Sequence, residues 1–160
     1  MRAVCLVLAA LCLVACDAGG DPPAELGTFE AEVRGGVTRD LSGVAGYLDG
    51  PAGPGSGLFV SLTETSGRSI AINDPDRALE AVGTYAVNDL DGRFVGVTYS
   101  ERPGDFEGRL RAVDGTVRVT AAGDGRIEGT VTARLAAGVE REPTSTLEAT
   151  FRARRVASPR

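Results

Sequence analysis

GTVRVTAAGDGRIEGTVTARL, residues 115–135, is the stretch whose reading decides the fold. Val117 and Val119 fall on one side of an extended chain, with Thr116, Arg118 and Thr120 on the other. After Gly123-Asp124-Gly125 the alternation resumes. Ile127, Gly129, Val131, Ala133 and Leu135 are set against Glu128, Thr130, Thr132 and Arg134. A period of two marks strands with one buried face. An Asp-Gly dipeptide between two such runs is a strong short-range signal for a β-hairpin.

The pattern extends in both directions. Toward the C-terminus, Leu147, Ala149, Phe151 and Ala153 alternate with Glu148, Thr150, Arg152 and Arg154. Toward the N-terminus, Phe106 to Val113 reads as a strand, and Asp114-Gly115 as a tight hairpin into Val117 and Val119. Further strands are expected at Phe29–Val33, Val44–Leu48, Leu58–Leu62, Ile70–Ile72, Thr84–Asn88 and Phe94–Ser100. Asp89-Leu90-Asp91-Gly92 reads as a turn. Asp49 to Gly57 (DGPAGPGSG) is a loop that neither strand nor helix would tolerate. The one helix-like signal lies at 74–81: Asp74 can cap, Pro75 suits a first helical position, and Gly83 stops the run. A short helix or 3₁₀ turn is expected there, plugging one end of a sheet. The fold class is therefore all-β. An antiparallel meander of about 8–10 strands closes into a soluble barrel, with a β-sandwich as the alternative. Closure would come from the last strand pairing with Thr28–Arg34.

Composition removes many chemistries. The 160 residues include no His and no Trp, which excludes Ser-His-Asp and Cys-His nucleophiles and the usual zinc ligands. There are 22 acidic and 17 basic residues, every basic one an Arg, for a net charge of −5. An acidic balance argues against a nucleic-acid partner. Neither a cofactor nor a metal is expected, and the chain reads as a non-enzyme.

The N-terminus carries the most specific motif. Met1-Arg2 is followed by Ala3 to Val14, apolar apart from the thiols of Cys5 and Cys12. A charged start and a short apolar run form an export signal. The run is shorter than the ~20 residues a membrane-spanning helix needs. It ends on Leu13-Val14-Ala15-Cys16, which resembles the lipobox of bacterial lipoproteins at all four positions. The resemblance implies cleavage before Cys16, a diacylglycerol thioether on its Sγ and acylation (palmitate among the acyl groups) of the new α-amine. Asp17 resembles the enteric signal for inner-membrane retention, although the rule is not general among bacteria. The expected organisation is a signal peptide at 1–15, lipidated Cys16 with a flexible tether to residue 26, and a single β domain at 27–157. The expected address is the cell membrane or outer membrane, with the domain in the periplasm or otherwise outside the cytoplasm. Losing Cys5 and Cys12 with the signal and acylating Cys16 would leave a domain without a free thiol or disulfide.

Gly115 to Val131, Leu147 to Arg155 and Gly83-Thr84-Tyr85 resemble the hairpins of small β-rich, lipocalin-like bacterial lipoproteins. That resemblance implies fold and compartment. A barrel of this size can hold one apolar ligand, and Tyr85, Tyr99, Phe106 and Phe151 are the aromatics expected to line it. The expected partners are thus the membrane through Cys16 and either a small apolar or amphipathic ligand or another envelope protein. Two acidic turns, Asn73-Asp74-Pro75-Asp76 and Asn88 to Gly92, carry oxygen ligands at short spacing but read as turn chemistry. The arginine stripe of Arg109, Arg111, Arg118, Arg134, Arg152 and Arg154 interleaves with Glu107, Glu128 and Glu148, as cross-strand ion pairs do.

Overall fold

The computed structural model describes residues 25–50, 57–88, 95–102, 108–137 and 142–156. Within them run nine strands and one 3₁₀ turn. The strands are β1 (Gly27–Gly35), β2 (Arg39–Asp49), β3 (Leu58–Thr63), β4 (Ser69–Asp74), β5 (Gly83–Val87), β6 (Gly96–Ser100), β7 (Leu110–Gly123), β8 (Arg126–Ala137) and β9 (Ser145–Arg155). Eight of them close into an antiparallel barrel in the order β1-β2-β3-β4-β6-β7-β8-β9, with β9 returning to β1. The closing pair is the expected one, with Thr28 opposite Arg152 and Val33 opposite Leu147.

The β7–β8 hairpin follows its sequence. Asp124 and Gly125 both have positive φ, 50° and 69°, between Gly123 and Arg126. Two positive-φ residues are what a two-residue hairpin needs to match the right-handed twist of its strands. Val117, Val119, Ile127, Val131 and Leu135 are all buried, as the alternation requires.

Asp114-Gly115 is not a hairpin turn. β7 runs through it as one 14-residue strand, bulged between Ala112 and Asp114 and again between Val119 and Ala121. Gly115 has φ 148°, and a Cβ there would stand 2.2 Å from the Thr132 carbonyl oxygen. The Asp-Gly pair thus serves a bulge, which inserts a residue and bends a strand without reversing it. The bend coincides with a change of neighbour. Leu110 and Arg111 pair with β6, whereas Gly115 to Val119 pair with β5. β2 is also longer than expected, starting at Arg39. The exposed Arg39 and Asp40 and the weakly apolar Gly43 hide the alternation of its first residues.

β5 leaves the meander because of the segment before it. Pro75 ends β4, and Arg77 takes a left-handed conformation (φ 58°) ahead of the 3₁₀ turn Ala78–Glu80. Asp74 does not cap that turn at its first position. Its buried carboxylate instead accepts the Leu79 N–H at 2.7 Å. This holds Leu79, itself 0% exposed, inside one end of the barrel.

Among the described residues the inward face is packed. Val33, Val60, Leu62, Ile70, Ile72 and Val97 are each 0% exposed, and the rest of the inward face is nearly as inaccessible. A side chain that a water-sized probe cannot touch borders no water-sized void. Phe29 and Phe151 stand opposite one another, flanked in the same row by Gly43 and Gly129. A Cβ on Gly129 would lie 3.3 Å from Cζ of Phe151, so the ring occupies the space the glycine leaves. Small residues beside aromatics give the close-packed interior of a narrow barrel.

Candidate functional site

Of the aromatics expected to line the interior, the described ones stand on three separate strands. Tyr99 is 0% exposed on β6, and Phe151 is buried on β9, paired with β1 and β8. Tyr85 is half-buried on β5, with its hydroxyl donating to the Ala81 carbonyl at 2.7 Å. Phe106 lies outside the described residues, as do Cys16 and residues 89–92, where a turn is expected. Tyr99 and Phe151 pack the core from separate strands, and Tyr85 packs beside the 3₁₀ turn.

Tyr99 points its hydroxyl at the barrel end opposite the start of β1, where it donates to Glu101 Oε1 at 2.8 Å. Arg39 reaches the same carboxylate at 3.2 Å and Arg68 at 3.1 Å. Arg68 also reaches Glu64 at 3.0 Å. Burial together with the donated hydrogen bond raises the Tyr99 hydroxyl above the usual tyrosine range. Desolvation pushes Glu101 up, but Tyr99, Arg68 and Arg39 outweigh it and leave the carboxyl lowered. Glu64 is lowered by Ser66 and Arg68. Asp114 is lowered by Arg134, whose Nε donates to it at 2.8 Å. Carboxyls held below their ordinary range stay ionised near neutrality and serve poorly as general acids. These clusters pin strand ends and bulges in place.

The arginine stripe largely resolves into pairs. Arg134 binds Asp114, and Arg152 reaches Glu128 at 2.7 Å with Arg126 beside it at 3.4 Å. At the end where β1 begins, Asp49 is shared by Arg77 (2.7 Å) and Arg155. The acidic turn at 73–76 is likewise used internally, since Asp74 is spent on Leu79. Among the described residues no three acidic side chains are grouped to hold a metal ion, and no helix is long and apolar enough to cross a membrane.

A concave surface that the sequence did not announce lies on the outside. It crosses β2, β1, β9 and β8, with hollows of about 660 and 710 Å³ that share Glu30, Ser42, Thr130 and Thr150. Glu32, Asp40 and Glu148 line one hollow; Thr28, Glu128 and Arg152 line the other. Register explains the grouping. Glu30 stands opposite both Ser42 and Thr150, and Thr150 opposite Thr130. Each of these residues is the polar member of an alternating pair. Only the β9–β1 closure makes neighbours of strands more than a hundred residues apart in the chain. Comparison with protein-family models, curated proteins and solved structures found no match.

Proposed function

We propose that the chain is an exported, lipid-anchored protein of the bacterial envelope whose packed barrel acts as a non-enzymatic interaction module. The anchor rests on Leu13-Val14-Ala15-Cys16 and the apolar run before it. The choice between a ligand carrier and an interaction module is carried by one observation, the inaccessibility of the inward side chains. A drug-sized ligand occupies a cavity of roughly 300–1,000 Å³. The described hollows of that size lie outside, over hydroxyls and carboxylates. Such a surface suits a polar, cation-bearing segment of another envelope component better than an apolar molecule.

Two measurements test this reading. Metabolic labelling with a fatty acid should mark the wild-type protein and fail on Cys16→Ala; equal labelling refutes the anchor. For the module, a photo-crosslinking side chain is placed at Thr130 or Thr150 in intact cells of the host, with Ala71 on β4 as control. A discrete, saturable adduct from the two groove positions and none from Ala71 supports the outer face as the working surface. Adducts of the same pattern from all three positions overturn it.

A further inference from the structure

We infer that the outer face of β2 and β3 beside the point where the tether joins the barrel is a bilayer-contact surface, with Leu26, Leu48 and Phe59 at its centre. The inference rests on the lipid-anchor reading and adds an orientation to it.

The path of the chain places the patch. β9 pairs with β1 up to Arg152 opposite Thr28, then runs on to pair directly with β2, parallel, at Gly46–Arg154 and Tyr47–Arg155. Val156 N–H continues that seam by donating to the Tyr47 carbonyl at 2.9 Å. The sheet is therefore already shut where β1 begins, and the residue before Gly27, Leu26, lies on the outer surface. A Cβ on Gly46 would be 3.4 Å from Leu26 Cδ2 and 2.8 Å from Val156 Cγ2. Gly46 thus seats two apolar side chains on the outside of the barrel. Leu48 follows on the same face of β2, directly opposite Phe59 of β3. Leu26, Val44, Leu48 and Phe59 are exposed at 47, 45, 37 and 38%.

Charge sharpens the patch. The outward residues of β3 and β4 are Phe59, Ser61, Thr63, Ser69, Ala71 and Asn73, none of them charged. The outward face of β1, β8 and β9 carries Glu30, Glu32, Glu128, Glu148 and Arg152. The barrel thus has a charged side and an uncharged side; Leu26, Val44, Leu48 and Phe59 sit beside the uncharged one, while Val82, 67% exposed, lies apart just before β5. Residues 17–25 contain three acids and no Leu, Ile, Val or Phe, so the tether itself is ill suited to cover the patch. A stable dimer buries about 800 Å² per partner, more than this handful of part-exposed side chains offers.

The anchor makes a weak contact sufficient. Nine residues, ten Cα–Cα steps, lie between Cys16 and Leu26; a random chain of that length would span about 17 Å and at most about 36 Å. Such a tether turns membrane contact into an intramolecular event at high effective concentration. Interfacial residues then need to sink only about 5–10 Å into the headgroup boundary.

The chain has no Trp, so an introduced one reports a single position. Acylated full-length protein carrying Phe59→Trp, or Thr132→Trp on the charged side, is reconstituted in phosphatidylcholine–phosphatidylglycerol vesicles containing brominated lipid. Trp at 59 is expected to lose about half its emission and shift to the blue, since the headgroup boundary brings it within quenching range; Trp at 132 should stay unquenched. Equal quenching at both positions, or none at 59 while the protein floats with the vesicles, overturns the contact surface. Fatty-acid labelling of the same preparation separates this failure from failure of the anchor. If Cys16 proves unacylated, the same Trp variants in a Cys5→Ser, Cys12→Ser background are coupled through Cys16 to a maleimide lipid. The same two outcomes then decide.

Discussion

Single residues show where sequence and structure part company. Asp74 carries a readable signal, an acid before Pro75, but its task is to accept the Leu79 N–H from a buried position. Truncation to Ala should therefore cost about 1–3 kcal/mol by stranding that donor, measured as a shift in the urea midpoint at unchanged slope. Gly129 reads as a weak point in a strand, yet a Cβ there would lie 2.3 Å from the Arg118 carbonyl oxygen. Gly129→Ala should destabilise by about 1–3 kcal/mol, measured as a fall in the urea midpoint, because the methyl would have to displace that backbone oxygen. The titrating groups set a pH window. Glu64, Glu101 and Asp114 are lowered, so their contribution is present above the ordinary carboxylate range and lost as pH falls through their folded values. Tyr99 is raised, so its contribution is present below about pH 10 and lost as pH rises beyond it. With no His to titrate between them, thermal stability should be flat from about pH 5 to 9 and fall on both flanks. A step near pH 6.5 in a thermal-melt series would contradict this.

Elements were legible wherever alternation was clean, and less so where a strand bends or changes neighbours. The β7–β8 hairpin, β9 and the β9–β1 closure could be read because inward Val, Ile, Leu and Ala recur at period two. Asp114-Gly115 was misleading because turns and bulges draw on the same residues; what separates them is the partner strand, invisible in a local window. The groove was illegible for the same reason, since its Thr and Glu residues mark only a solvated face until β1 and β9 meet. β9 bonds on both edges, to β1 and β8, so its register is doubly fixed. An Ala inserted between Ala149 and Thr150 would turn Phe151 and Ala153 outward and should abolish the cooperative urea transition. The same insertion in the Asp124-Gly125 turn should leave the transition in place. Equal tolerance at the two sites would mean that β9 does not close the barrel.

At the scale of the molecule, the described inward side chains pack against one another, which is why the outside is proposed as the working surface. One side is charged and grooved, the other uncharged and apolar where β1 begins. The groove follows from one topological fact: β9 closes on β1. The central claim is that nothing small is carried inside. Native mass spectrometry of the intact protein, extracted from its own host's envelope, tests it most directly when compared with the denatured mass of the same sample. Equal native and denatured masses are expected, both matching the chain from Cys16 onward plus covalent acyl groups. A native mass heavier than the denatured one by a stoichiometric small molecule would contradict the account.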